Sequence, residues 1–163
     1  MKQFRFLISA ALLALASLSH SAMAADTRPF DKDSFAQIRA QHAGKPLVVH
    51  VWGMTCGPCL IELPKWSELQ RKRPDMNLVL IEADQAPVKA SEQTLAKAGL
   101  AKAQSWMVAS TLDEFMRASI DPKWMGDMPR TLLIDATGKV TTLPGVADLA
   151  TVNRWLDDNA AKK

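Results

Sequence analysis

The sequence predicts an α/β protein in which a mixed central β-sheet is flanked by helices. Two nearly continuous apolar runs, "KPLVVHVW" and "MNLVLIEA", are rich in β-branched residues and are typical of strands covered on both faces. A helical segment separates them, so we expect the two strands to run parallel, joined by a right-handed crossover. Later in the chain, "RTLLID" and "KVTTL" flank the turn "ATG", which indicates an antiparallel hairpin added to the same sheet.

Three helices are expected in the first hundred residues. Asp33 has a side chain suited to capping a first helix over residues 33–44. The second helix follows the first apolar strand and covers residues 56–72, although Pro64 inside it removes one backbone hydrogen bond. A third, short helix is expected over residues 91–98.

Shorter elements complete the predicted fold. The segment "SWMVA" is expected to be extended, and residues 26–30 are expected to lack regular structure. Thr111 and Glu114 have the spacing of a capping box at the start of a fourth helix. A closing helix has an apolar face formed by Leu149, Val152 and Leu156. Without repeats or a linker, residues 25–163 are expected to form a single domain.

Residues 1–24 have the features of a secretory signal peptide. A basic start precedes an apolar run over residues 6–18, and Ala22 and Ala24 occupy the small-residue positions that a signal peptidase reads. The run is shorter than the roughly 20 residues that span a bilayer. We therefore expect cleavage after Ala24 and export to the periplasm, leaving 163 − 24 = 139 residues.

Charge argues against a nucleic-acid partner. The chain has 20 basic and 17 acidic residues, and the leader contains two of the basic ones, so the cleaved chain has a formal charge of +1. A balance this even provides no basic field for nucleic acid or anionic lipid. A soluble monomer is expected.

Cys56 and Cys59, within "WGMTCGPC", are the only cysteines. A disulfide between them closes too short a loop to restrain the unfolded chain, and a structural zinc site normally needs four ligands. A strand that delivers Cys56 to a helix N-terminus favours the thiolate, because the first-turn N–H groups are free and the helix dipole attracts negative charge. Gly57 and Pro58 separate the pair, and the missing N–H of Pro58 costs little there. Cys56 is therefore predicted to attack, and Cys59 to resolve the mixed disulfide.

The stretch "WGMTCGPCLIELP", with the later "MPRTLLIDATGKV", resembles the thioredoxin superfamily, and more narrowly its exported TlpA/ResA-like thiol–disulfide oxidoreductases. The resemblance spans residues 33–158 and implies a thioredoxin-like fold. In that family the proline that matches Pro129 is cis and lies against the active-site disulfide. The resemblance therefore implies that Met128 and Pro129 contact the substrate chain.

Two further residues are candidates for controlling cysteine protonation. The resemblance implies such a role for Glu62, three residues after Cys59; a solvated glutamate stabilised by the helix dipole is the alternative. His50 stands where thioredoxins have a buried aspartate. Its unperturbed pKa of ~6.5 would let it take the proton that Cys59 loses. The alternative is a core histidine bonded to a backbone carbonyl.

The predicted rim of the site differs from that of the relatives. They commonly have an aromatic residue before the first cysteine, and Thr55 in its place leaves the rim more open. Trp124, Met125 and Met128 surround the expected cis bond and would offer a peptide an adaptable apolar surface, with core packing as the alternative.

These features predict a periplasmic disulfide reductase, because its Gly-Pro dipeptide resembles that of the reducing thioredoxins. No cofactor is expected. Exported proteins with disulfides, such as apocytochrome c or a partner oxidoreductase, would be its substrates, and a membrane transporter of thiol reductant would supply its electrons. One alternative is a thiol oxidase of the same fold. Another is a copper(I)-binding or copper-site maturation protein, because thiolates and the thioethers of Met54, Met125 and Met128 are soft ligands.

Overall fold

The computed structural model describes residues 27–160, and the predicted signal peptide lies outside them. The strands are β1 (Arg28–Phe30), β2 (Leu47–Trp52), β3 (Asn77–Glu82), β4 (Gln104–Val108), β5 (Arg130–Ile134) and β6 (Val140–Pro144). The helices are α1 (Ser34–Gln41), α2 (Gly57–Lys72), α3 (Val88–Lys97), α4 (Glu114–Ile120) and α5 (Leu149–Ala160). In the described range, none of these helices has both the length and the apolar character needed to cross a membrane.

One mixed sheet contains all six strands, in the order β1–β4–β3–β2–β5–β6. The predicted parallel pair is confirmed, because β2 and β3 run parallel with Leu47 opposite Asn77. The predicted hairpin is also confirmed, since β5 and β6 are antiparallel, and β5 adds antiparallel to β2. The most central strand, β2, is buried along its whole length, as its continuous apolar run predicted.

Helices cover both faces of this sheet. On one face, α1 and α4 pack over Val49 and Val51 of β2. On the other, α2 and α5 pack over Val48 and Trp52, the alternate positions of the same strand. Because successive side chains of a strand point to opposite faces, one short strand contributes to both halves of the core. Its C-terminal end leads directly into the loop that carries the cysteine pair.

Three local expectations were wrong. Residues 28–30 form a strand rather than an unstructured start, because they pair in parallel with β4. Asp33 makes no side-chain cap on α1, although its carboxylate lies next to that helix. The cap of α4 is Asp113 rather than Thr111, since Asp113 Oδ1 accepts from Met116 N–H at 2.8 Å.

Candidate active site

The cysteine pair lies at the N-terminus of α2, directly after the loop that follows β2. A disulfide joins Cys56 and Cys59, whose Cα atoms are 5.2 Å apart. Cys56 is the N-cap residue, with extended backbone, and its Sγ accepts a hydrogen bond from Cys59 N–H at 3.3 Å. A sulfur in this position lies among free N–H groups at the positive end of the helix dipole, which stabilise a thiolate.

The two sulfurs differ in access. Cys56 is partly exposed, and Gly57 and Pro58, which separate it from Cys59, are both exposed. Cys59 is 0% exposed and packs in the core cluster under α2. This asymmetry is the one that the sequence predicted for an attacking and a resolving thiol.

The expected cis bond is present between Met128 and Pro129. The register of β2 with β5 pairs Val51 with Arg130, so this bond lies beside the end of β2 where the cysteine loop begins. Met128 is partly buried and packs against the same apolar cluster as Cys56. The fold therefore brings together the two segments that the sequence placed more than sixty residues apart.

Trp124 requires a correction. It was expected to offer a contact surface, but it is 4% exposed and belongs to the core on the α1 side of the sheet. Its indole N–H donates to the Asp127 carbonyl at 2.7 Å, so the polar edge is used within the same loop. Met125, by contrast, is 86% exposed and remains available to a partner.

An ion network centred on the buried Arg130 holds the loop before the cis bond. The Arg130 guanidinium donates to Asp121 Oδ2 through Nη2 at 2.8 Å and to Asp127 Oδ2 through Nη1 at 2.9 Å. Burial raises the pKa of Asp121, but hydrogen bonds from the Lys123 N–H, Arg130 and Thr142 outweigh it and hold this pKa below its usual value. The network fixes both ends of the segment that ends in Met128.

Glu62 is not the solvated glutamate of the alternative reading. It is 1% exposed, and its Oε1 accepts from Ala147 N–H at 2.9 Å, next to the start of α5. Its Oε2 is buried, and the Trp66 side chain is a weak donor to this carboxylate. Burial raises the pKa of Glu62 above that of an ordinary glutamate. A buried carboxyl one helical turn beyond Cys59 is therefore a better proton acceptor than an exposed one.

His50 is 0% exposed and lies on the α2 face of β2, with its ring centroid 5.0 Å from that of Trp66. Its Nδ1 lies 3.0 Å from Thr131 Oγ1, so its partner is a hydroxyl rather than the expected backbone carbonyl. Its Nε2 is buried without a hydrogen-bond partner in the described part of the chain. Burial lowers the pKa of His50 to about 3, so the imidazole is neutral at physiological pH.

Two acids at the end of β3 were not singled out in the sequence. Glu82, the last residue of that strand, is 0% exposed, and burial raises its pKa. Asp84 accepts hydrogen bonds at one oxygen, Oδ2, from the N–H and the hydroxyl of Thr55. A usable signal was present, because "EAD" ends an apolar strand that runs parallel to β2, and parallel strands end at the same sheet edge. Thr55 is exposed, as expected, but it is also tied to this second strand.

Among residues 27–160, no three His, Cys, Asp or Glu side chains are grouped so that they could hold an ion. The copper(I) alternative rests on thioethers as well, and Met54 packs against the same apolar cluster as Cys56.

Comparison with solved structures places this architecture in a known fold. A secreted disulfide oxidoreductase of Mycobacterium tuberculosis, homologous to E. coli DsbE, matches with a TM-score of 0.60 at 22% identity, over 73% of this chain and 85% of that chain. A thioredoxin family thiol:disulfide interchange protein from Chlorobium tepidum matches with a TM-score of 0.59 at 23% identity, over 74% and 83%. The chain has a thioredoxin-like fold. A thiol-disulfide isomerase from Corynebacterium glutamicum has this fold as well, with a TM-score of 0.61 at 16% identity, over 77% of this chain and 86% of that chain.

No protein-family model matches the sequence. Because the likeness to these three structures establishes the fold alone, the chemistry of this thioredoxin-like protein has to be argued from its own cysteines, acids and loops.

Proposed function

We propose that this protein is an exported thiol–disulfide oxidoreductase that reduces disulfides in other proteins. The observation that supports this most directly is the asymmetry of the pair: Cys56 is partly exposed at a helix N-cap and Cys59, one turn further, is fully buried. A nucleophile needs access and a stabilised thiolate, whereas a resolving thiol needs only the mixed disulfide. The named activities of the three structural neighbours agree with this proposal.

The reaction would proceed in two exchanges. The Cys56 thiolate attacks one sulfur of a substrate disulfide, the substrate S–S bond breaks, and the other substrate sulfur leaves as a thiolate. Cys59 then loses its proton and attacks Cys56 Sγ, which releases the second substrate thiolate. Two electrons pass from the protein dithiol to the substrate, and the chain ends with the Cys56–Cys59 disulfide. A membrane transporter of thiol reductant would then return two electrons and regenerate the dithiol.

Glu62 is the better acceptor for the Cys59 proton. A thiol has an unperturbed pKa of ~8.5. Because burial lowers the pKa of His50 to about 3, proton transfer from a thiol to this imidazole is uphill by several kcal/mol. The pKa of Glu62 is raised instead, which narrows the gap to the thiol. We therefore assign Glu62 the acceptor role, and His50 the role of a neutral side chain in the core.

The substrate would lie across Met128 and Pro129. These residues follow a loop that Arg130 holds in place, and they border the loop that carries Cys56. An extended chain is the expected ligand, with the exposed Met125 and the exposed, non-aromatic Thr55 on either side of it. Exported proteins such as apocytochrome c or a partner oxidoreductase fit this description.

Two measurements test the proposal. Reduced Cys59→Ser protein should react with iodoacetamide at pH 6 faster than free cysteine does, because the helix N-terminus favours the thiolate of its single thiol, Cys56. An equal rate would mean that Cys56 is not an activated nucleophile. Equilibration of the wild-type pair with glutathione should give a midpoint in the reducing half of the ~−270 to −120 mV range. A midpoint more oxidising than about −150 mV would instead identify a thiol oxidase. Titration of the reduced protein with copper(I) tests the copper-binding alternative.

A further inference from the structure

The loop between β2 and Cys56 is held by a carboxylate from the neighbouring strand. Asp84 Oδ2 accepts from Thr55 N–H at 2.6 Å and from Thr55 Oγ1–H at 2.8 Å. A Cβ atom added to Gly53 would lie 2.5 Å from both carboxylate oxygens, so the carboxylate packs directly against that glycine. The two contacts fix the loop on both sides of Met54, immediately before the attacking cysteine.

Glu82 supports Asp84 from beneath. Its Oε1 accepts from Asp84 N–H at 2.9 Å, and its side chain is fully buried. Trp52, the last residue of β2, stands opposite Glu82 in the parallel register, and Ala83 N–H donates to the Trp52 carbonyl at 2.9 Å. The position of Asp84 is therefore set by the sheet rather than by a free surface loop.

We propose that Asp84 is a positioning residue for Cys56: it holds the preceding loop in place, and its fixed negative charge restrains thiolate formation at Cys56. The inference rests on the proposed function in taking Cys56 as the attacking thiol. Free N–H groups and the dipole of α2 favour the thiolate, and a carboxylate bonded to the adjacent residue opposes it. Since a less stable thiolate makes a dithiol a stronger reductant, Asp84 would move the pair toward the reducing side.

Other charged groups near the pair do not supply this effect. The first turn of α2, which the structure describes in full, has no acidic residue. Glu62 lies beyond Cys59 with a raised pKa. Glu82 lies behind Asp84, and burial raises its pKa although the backbone N–H groups of Asp84, Ala86 and Met54 favour its carboxylate. Asp127, in the loop before β5, is paired with Arg130 at 2.9 Å. Asp84 is thus the acid whose charge is both partly exposed and bonded to the residue next to Cys56.

The chain contains a matched control. Asp135, in the β5–β6 turn, accepts from Thr137 N–H at 2.8 Å and from Thr137 Oγ1–H at 2.6 Å, which reproduces the Asp84–Thr55 arrangement. It follows Ile134, which pairs with Leu47 at the start of β2, so it stands at the opposite end of the sheet from Cys56. Asp84→Asn and Asp135→Asn therefore remove the same charge from the same kind of contact at the two ends of the molecule.

The test measures the pH profile of iodoacetamide alkylation of Cys56 in reduced protein that carries Cys59→Ser. Asp84→Asn should shift the profile to lower pH and raise the rate at pH 6 by about threefold or more, whereas Asp135→Asn should leave it unchanged. With Cys59 intact, Asp84→Asn should also make the midpoint potential less negative. Superimposed profiles for the two variants would overturn the proposal.

Substitutions of Thr55 test whether the Asp84 carboxylate acts because it is held in place or only because it is near Cys56. Thr55→Ser keeps both hydrogen bonds and should behave as wild type. Thr55→Val keeps the backbone N–H donor but loses the hydroxyl donor, so it holds the carboxylate less firmly and should shift the profile in the direction of Asp84→Asn, but less. Equal profiles for Ser and Val would contradict the positioning role. Because alkylation needs no protein substrate, a shift caused by Asp84→Asn in a protein without disulfide reductase activity would refute the proposed function and leave this inference intact.

Discussion

At the scale of single residues, the site combines buried polar groups that an ordinary core would exclude. Among the described residues, His50 Nε2 is buried without a hydrogen-bond partner, and Glu62 Oε2 and Glu82 Oε2 are buried with weak partners only. An unpaired buried polar atom costs about 1–3 kcal/mol. All three groups lie on the α2 face of the sheet, where burial shifts the pKa of each toward its neutral form.

His50 should make folding sensitive to acid. The unfolded histidine binds a proton below pH ~6.5, whereas the folded pKa is about 3. Between these values the unfolded state binds more protons, so stability falls as pH falls. From pH 6 to 4 we expect the free energy of unfolding of wild type to fall more steeply than that of His50→Asn, by up to ~1.4 kcal/mol per pH unit.

Urea denaturation at each pH checks this prediction. His42→Asn is the control, because His42 is partly exposed and its Nε2 lies 3.1 Å from Gln104 Oε1. Parallel stability curves for wild type and His50→Asn would mean that His50 is not a buried neutral imidazole. The same variant should resolve mixed disulfides at the wild-type rate if Glu62 takes the proton.

Glu62→Gln should slow the second exchange selectively. The amide keeps an oxygen for Ala147 N–H but cannot accept the Cys59 proton. We expect the mixed disulfide to persist at least ~100-fold longer at pH 7, within the usual contribution of a general base. In the wild type, resolution of the mixed disulfide should also slow as pH falls through the raised pKa of Glu62, because the protonated carboxyl cannot accept the Cys59 proton.

Rapid acid quenching of the mixed disulfide with a small aromatic disulfide measures that lifetime. Glu68→Gln is the matched control on the same helix, where exposed Glu68 pairs with Lys72 at 2.7 Å. Equal lifetimes for the two variants would exclude Glu62 as the proton acceptor. A slower first exchange in Glu62→Gln would instead point to a role in binding.

At the scale of elements, the sequence predicted the long apolar strands but not the short strand that depends on pairing with a neighbour. β2 and β3 each bury five or six residues, so their composition alone indicated strands. β1 has three residues, of which only Phe30 is buried, and its strand geometry exists only because β4 lies beside it. Trp124 was ambiguous for a similar reason, since its burial depends on a carbonyl that the folded loop supplies.

Phe30 should anchor this short strand to the sheet. It is 0% exposed and meets Trp106 edge-on, with ring centroids 6.3 Å apart. Phe30→Ala should lower the free energy of unfolding by about 3–5 kcal/mol, the usual cost of emptying a buried aromatic position. Phe115→Ala removes the same atoms from a side chain that is 75% exposed, and it should cost less than about 0.5 kcal/mol. Urea unfolding of both variants measures these losses. Similar losses in the two variants would mean that β1 contributes little to the stability of the fold.

At the scale of the whole molecule, redox state and folding are linked by one thermodynamic cycle. The fold and the cysteine pair were predictable from the cysteine spacing and strand order, whereas the burial of Trp124 and the placement of Glu82 and Asp84 were not. The direction of electron flow was not predictable either, because it depends on small differences between folded and unfolded potentials. About 30 mV corresponds to ~1.4 kcal/mol. Groups such as Asp84 and Glu62, whose placement only the fold reveals, act on that scale.

For a reductase, the folded chain must favour the disulfide more strongly than the unfolded chain does. The oxidised protein should therefore have the larger free energy of unfolding, by about 1.4 kcal/mol for every 30 mV by which the folded potential lies below the unfolded one. Urea unfolding with and without excess dithiothreitol measures this difference, and a Cys56→Ser, Cys59→Ser variant should show none. An oxidase stabilises its reduced form, so a more stable reduced protein would reverse the proposed direction while leaving the thiol chemistry in place.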